Sequence, residues 1–213
     1  MAAQPINDES DNDTYPDVPA IPAGLRIPPP HRRAPVHHHP IASSGKAPAM
    51  WLLGAHGRSG SGTLAHIWAP AADSGGGWPA ADRYPGVVVV ARTDFDGLTA
   101  AQDLVLQATA GLIGEAILLG TALVPYAPGR LPKSLRRKAE IVAAASPAVW
   151  QIPWIDDLPL HPRSELATWS PADPPAPPPG RMRGPVSSAA SPQPQLAALG
   201  MDIFTAARTA YTR

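Results

Sequence analysis

Short apolar runs alternate with stretches whose apolar residues recur at helical spacing, and nearly all of both lie between residues 48 and 158. Met50-Trp51-Leu52-Leu53-Gly54 is an apolar run bounded by turn residues, the pattern of a buried parallel strand. Residues 87–91 follow Pro85-Gly86, open with four consecutive β-branched residues and are apolar on both faces, which predicts a central strand of a covered sheet. Residues 116–124 and 149–153 read as two further strands. Between them the period changes. Residues 63–68 make about two helical turns, with Leu64, Ile67 and Trp68 inward and His66 outward, before Pro70 stops them. Residues 70–86, with Gly75-Gly76-Gly77 and several prolines, predict a surface loop anchored by Trp78 and Tyr84. Thr99 and Gln102 form a capping-box pair for a helix of about a dozen residues, whose Leu98, Ala101, Val105, Ala108 and Leu112 face the sheet. A third helix begins near Pro132, with Leu131, Leu135, Ala139 and Val142 as its buried stripe. This alternation predicts an α/β fold, a parallel sheet covered by helices with ligands at the carboxyl ends of its strands.

Composition sets the limits of that domain. Proline accounts for 29 of 213 residues, almost three times the usual share of about 5%. Most of it lies before Met50 and after Pro153. The predicted organisation is an acidic, then Pro-rich disordered tail over 1–47, one α/β domain over 48–162, a Pro-rich linker over 163–194 and an amphipathic helix over 195–213. Within the linker, residues 171–179 have polyproline character. The last helix carries Leu196, Leu199, Ile203, Ala207 and Tyr211 on one face. It either packs back on the core or docks a protein partner from a tether, and the tails share that second role. The formal net charge is zero and there is no cysteine, which fits a reducing compartment. The N-terminus lacks a basic and apolar leader, and the longest apolar run falls far short of the ~20 residues of a membrane span. The expected location is the cytoplasm, with no membrane contact. His37-His38-His39, with His31 nearby, reads as a polar kink without the scaffold a metal site needs, and no metal site is predicted.

The candidate chemistry sits directly after the first strand. His56-Gly57-Arg58-Ser59-Gly60-Ser61-Gly62-Thr63 is a glycine-rich turn leading into a helix, an arrangement whose backbone N–H groups can surround a phosphate. A Walker A loop, G-x-x-x-x-G-K-[ST], has a lysine after its second glycine; here Gly60 is followed by Ser61 and Gly62. Arg58 is the cation left in the loop. A second cluster, Arg130, Lys133, Arg136, Arg137 and Lys138, opens the third helix, with Lys133 and Arg137 on one face. It is either a solvated helix face or a patch for a DNA backbone. The nucleophile-elbow pattern G-x-S-x-G fails at its last glycine, so Ser59 with the distant Asp156 and His161 does not make an esterase.

The order of segments resembles that of the deviant P-loop ATPases of the ParA/MinD type, whose loop is K-G-G-x-G-K-[ST]-[ST]. Counterparts of their later segments are Val87-Val88-Val89-Val90-Ala91-Arg92-Thr93-Asp94, Gly120-Thr121-Ala122-Leu123-Val124-Pro125 and Gln151-Ile152-Pro153-Trp154. The chain is also similar to an uncharacterised family of actinobacterial proteins associated with plasmids and integrative elements, whose P-loop is degraded. The resemblance covers about residues 49–158 and implies a reduced P-loop-like sheet, weak binding of ATP or GTP at residues 56–63, and a homodimer as a further option. It also raises the prospect of DNA contact. Both loop lysines are replaced, by His56 and Ser61, the Mg²⁺-binding hydroxyl position is Gly62, and no catalytic aspartate or Walker B strand is evident. The implied function is therefore a non-hydrolysing binding or regulatory protein of a mobile-element, partition or DNA-transfer system, more plausibly not an enzyme. The alternatives are an accessory DNA-binding protein using residues 130–138 and a weak hydrolase. In the latter, Arg58 or His56 replaces lysine, Thr63 holds Mg²⁺, and Asp94 or Asp96 serves as metal ligand or base.

Overall fold

Strands β1 (Met50–Gly54), β2 (Ala71–Asp73), β3 (Gly86–Arg92), β4 (Ile117–Val124) and β5 (Val149–Gln151) form one parallel sheet in the order β2-β1-β3-β4-β5. The computed structural model describes residues 26–41, 47–80, 84–174 and 187–212. Burial follows the pleat. Met50, Leu52, Val88 and Val90 face one side of the sheet, and Trp51, Leu53, Val87, Val89 and Ala91 face the other. Helices α1 (Ser61–Ile67) and α4 (Pro194–Ala210) cover the first side through Leu64, Ile67, Leu196, Ile203 and Ala207. Helices α2 (Phe95–Thr109) and α3 (Lys133–Ala145) cover the second through Ala101, Leu104, Val105 and Val142. From β1 the chain steps one way to β2 and then reverses through β3, β4 and β5. Crossovers of a single hand therefore place α1 opposite α2 and α3, and the reversal opens a crevice beside the end of β1.

The predicted α/β fold with a parallel sheet holds, with local differences that have physical causes. Helix α2 starts at Phe95, ahead of the predicted Thr99 pair, because the Asp94 carboxylate caps it by accepting from the Gly97 N–H at 2.7 Å. Thr99 lies within the helix and donates its hydroxyl to the Phe95 carbonyl, and Leu112 lies beyond the helix end. Strand β2 falls in the predicted surface loop; its three residues are too few to show a period, and pairing with Met50, Trp51 and Leu52 makes it a strand. Gly120 marks a bulge, since the pairing with β3 steps from Leu118 directly to Gly120. A Cβ there would lie 2.5 Å from the Ala148 carbonyl oxygen.

Two segments expected outside the domain belong to it. Within the predicted tail 1–47, residues 26–41 lie along α2 as a strap. The buried Gln107 side chain accepts from the Ala34 N–H at 3.0 Å and donates to the Ala34 carbonyl at 2.8 Å, and Arg32 pairs with Asp103 at 2.6 Å. Burial nevertheless raises the Asp103 pKa, outweighing the neighbouring guanidinium. Val36 and Ile41 add to the core on that side, and Trp78 is bonded in both directions to His37 and Pro35. An aperiodic Pro-rich segment offsets its entropy this way because the surface it lies on is already built. Residues 1–25 and 42–46 lie outside the described residues.

Residues 163–174, predicted as linker, bury Leu166 and Trp169 against α1; the remainder of the predicted polyproline stretch, from 175, lies outside the described residues. Of the two readings of the C-terminal helix, packing on the core is the one observed. The Trp68 indole donates to the Leu196 carbonyl at 2.8 Å, and Tyr211 donates its hydroxyl to the Ala49 carbonyl while accepting from the Gly86 N–H. Among the described residues no helix is long and apolar enough to cross a membrane.

Candidate functional site

The glycine-rich loop lies where the sequence places it, between β1 and α1. Gly60 adopts φ 101°, which glycine tolerates, and Arg58 adopts φ 64°. The latter is a left-handed conformation costing a non-glycine residue on the order of 1 kcal/mol. Ser59 is buried beneath the loop. A Cβ on Gly54 would lie 2.7 Å from Ser59 Oγ and 2.9 Å from Ser61 Oγ, so the strand ends in glycine to let both hydroxyls close over it. Ser61 Oγ donates to Asp73 Oδ2 at 2.7 Å, and the Gly75 N–H donates to Asp73 Oδ1 at 2.8 Å. Asp73 ends β2 and went unrecognised in the sequence. The one signal for it was Ala71-Ala72 ahead of a carboxylate, concealed by the prolines and glycines around it.

A cleft of about 680 Å³ opens over the carboxyl ends of the strands. Each strand contributes: the loop after β1, Asp73 at the end of β2, Arg92 at the end of β3, Val124 at the end of β4 with Pro125 after it, and Ile152, Pro153 and Trp154 after β5. Of the predicted loop residues, Arg58, Ser59, Gly60, Ser61, Gly62 and Thr63 line the cleft. His56 and Gly57 do not line it. The His56 ring turns toward β3, where Nε2 accepts from the Arg92 N–H at 3.3 Å and Nδ1 donates to the Gly57 carbonyl at 2.9 Å, so it braces the loop. The segment after β5 adds His161 and Arg163 to the cleft wall. Three arginines, Arg58, Arg92 and Arg163, thus line the cleft. Among the described residues none of them makes an ion pair within 4.0 Å. The Asp73 carboxylate is already taken by Ser61 and Gly75. Away from the loop, the half-exposed Trp154 ring is held by its own bond to Asp156 at 2.7 Å.

Other candidates from the sequence lie elsewhere. Asp94 caps α2, and Asp96 lines a separate hollow between residues 31–35 and α2, so neither borders the cleft as a hydrolase with an Asp94 or Asp96 base would need. None of Arg130, Lys133, Arg136, Arg137 and Lys138 lines the cleft. Arg130, Lys133 and Arg137 are exposed, and Lys138 Nζ lies 4.6 Å from the centre of the Phe95 ring. His38 and His39 are exposed, while the buried His37 Nε2 has no hydrogen-bond partner among the described residues. Among the described residues no three His, Cys, Asp or Glu side chains gather as a metal site. Ser59, Asp156 and His161 do not assemble either: His161 approaches Ser187 and Asp157, and Asp156 holds Trp154.

Asp157 secures the wall that carries His161 and Arg163. Its carboxylate accepts from the Ser188 N–H at 2.6 Å and the Ser188 hydroxyl at 2.7 Å, and these bonds hold its pKa below the usual carboxylate range. A carboxylate with a lowered folded-state pKa contributes stability above its unfolded value of about 3.9, and that contribution disappears as the pH falls through the folded value. Asp157→Asn therefore lowers stability by about 1 kcal/mol at pH 7, the side chain being partly exposed. Urea titrations of both proteins from pH 7 to pH 3 check this, since the gap between them closes toward the acid end.

No protein-family model matches the chain, and neither a curated protein nor a solved structure matches it.

Proposed function

We propose that this chain is a P-loop-like protein of the ParA/MinD kind that binds a phosphate-bearing ligand, a nucleotide in the first instance, without hydrolysing it. In this reading it serves as a binding or regulatory component of a mobile-element, partition or DNA-transfer system of actinobacterial type. The observation that carries the reading is the cleft, in which a glycine loop and three arginines without an ion pair among the described residues meet at the strand ends. Its volume of about 680 Å³ lies within the range of small-ligand sites. Guanidinium groups suit phosphate because their planar fork donates two parallel bonds. Trp154 offers a ring face for the rest of the ligand.

The non-hydrolysing part rests on where charge and hydroxyls go. Phosphoryl transfer needs a cation and a metal on the transferred group and a positioned nucleophile. His56 and Ser61 replace the two lysines; the first is engaged with the Arg92 main chain and the second with Asp73. Gly62, at the position of the Mg²⁺-binding hydroxyl, has none to offer, so the residues present do not fit the metal-held triphosphate of the ATPases. Isothermal titration of the full chain with ATP and GTP, beside a phosphate-release assay in Mg²⁺, tests the reading. Binding without release above the buffer rate is the expected result. A flat titration at millimolar nucleotide rejects the binding claim, and Mg²⁺-dependent release that disappears in Thr63→Ala rejects the non-hydrolysing claim.

A further inference from the structure

Resting on the reading of the cleft as a phosphate site, we infer that Arg163 is its principal cation, delivered from the segment after β5 to the place where the loop lacks its lysine. Gly62 carries the first part of the case. It lies in the first turn of α1 without a positive φ, so its backbone does not require glycine. Glycine within a helix costs up to about 1 kcal/mol relative to alanine. A Cβ at this position would lie 2.7 Å from Arg163 Nη1. A side chain at position 62 would therefore meet the tip of Arg163.

Arg163 does not arrive there on a loose arm. It opens a 3-10 turn (Arg163–Glu165) that is fastened to α1 at several points. His66 Nε2 lies 3.0 Å from the Leu166 carbonyl, and the Leu166 side chain is buried. The Trp169 N–H donates to the Ile67 carbonyl at 2.7 Å, and the Ala69 N–H to the Trp169 carbonyl at 2.9 Å. These bonds fix the backbone, and the exposed Arg163 side chain borders the cleft with no carboxylate within 4.0 Å among the described residues.

Arg92 also lines the cleft; its Nη2 donates to the Tyr126 carbonyl at 3.1 Å, and its guanidinium carbon lies 5.5 Å from the centre of the Tyr126 ring. The attraction comes from the arginines and owes little to α1, whose seven residues give a weak dipole. Arg163 and Arg58 both line the cleft with the first turn of α1, and the ligand class this fits is a phosphate ester or a polyphosphate.

Tryptophan-fluorescence and calorimetric titrations of the full chain with inorganic pyrophosphate and with ADP test the assignment, using Arg163→Ala, Arg163→Lys and Gly62→Ala. Arg163→Ala should weaken both ligands by the same factor, at least about tenfold, because the lost contact is with phosphate. Arg163→Lys should recover part of the loss, and Gly62→Ala should reproduce it by displacing the guanidinium. Thermal melts of Arg163→Ala should match the parent, since the side chain makes no hydrogen bond among the described residues and is exposed. Parent-like affinity in Arg163→Ala overturns the role of Arg163 and leaves the phosphate site standing. Failure of the unaltered chain to bind either ligand overturns the site and Arg163 together. ADP binding without pyrophosphate binding also overturns the inference, because it places recognition on the nucleoside.

Discussion

Trp68→Ala lowers the unfolding free energy by about 3–5 kcal/mol, the range for deleting a large buried aromatic, and detaches α4 from the sheet. Trp68 is fully buried at the end of α1, and its indole N–H is satisfied by the Leu196 carbonyl in the first turn of α4. The same helix approaches so closely that a Cβ on Gly200 would lie 2.8 Å from Trp68 and 2.6 Å from Trp169. One side chain therefore joins β1's helix, the returning segment 163–169 and the C-terminal helix. Removing it leaves a cavity facing three elements and takes away the bond that ties the first turn of α4 to α1. Trp68→Phe keeps most of the volume and loses the bond, so its cost should be smaller, about 1–3 kcal/mol. Urea titrations of the two variants, with limited proteolysis at residues 187–193, provide the measurement. A loss below about 1 kcal/mol in Trp68→Ala, with no new cleavage, contradicts the docking of α4.

The parallel sheet and its order of elements could be read from periodicity because each long segment satisfies one rule throughout. Residues 87–91 are apolar on both faces since helices cover both, and the Leu98, Ala101 and Val105 stripe faces the sheet as its spacing requires. What was illegible depends on partners distant in sequence. Nothing local marks Ala71–Asp73 as a strand; the adjacent β1 does that. The strap of residues 26–41 has no period because its order comes from Gln107 and Trp78, about 40 to 70 residues away. The place of the loop 56–63 between a strand and a helix is legible in the sequence, while its internal contacts are not. His56 aligns with a lysine but serves as a brace, and Arg163 lies 101 residues beyond the glycine it covers, in a stretch whose prolines give it the composition of a linker. Composition describes such a stretch correctly and still misplaces it, because proline prevents regular structure without preventing packing.

Gly97→Ala lowers stability by about 2–3 kcal/mol although the change favours helix in isolation. Alanine in place of glycine in a helix gains up to about 1 kcal/mol, and Gly97 lies in the first turn of α2 without a positive φ. Propensity alone predicts a stabilised protein. Packing reverses the sign. A Cβ at 97 would run into the Arg92 carbonyl oxygen, which the sheet holds in place, and would lie 2.9 Å from His56 Nε2 and 3.0 Å from Asp94 Oδ1. Relief requires α2 to retreat, which breaks the cap from Gly97 to Asp94 and adds about 1 kcal/mol to an overpacking cost of about 1–3 kcal/mol. It also pushes His56 off the Arg92 N–H, and with it the brace that sets residues 55–60. The phosphate affinity proposed for the cleft should therefore fall in Gly97→Ala even under conditions where the protein remains folded. Gly57→Ala is the matched control: a Cβ there meets nothing within 4 Å, so its stability should remain within about 0.5 kcal/mol of the parent. Thermal and urea unfolding of the pair decide the matter. A Gly97→Ala protein more stable than the parent shows that the junction of Arg92, His56 and Asp94 is not packed as described, and the bracing role of His56 fails with it.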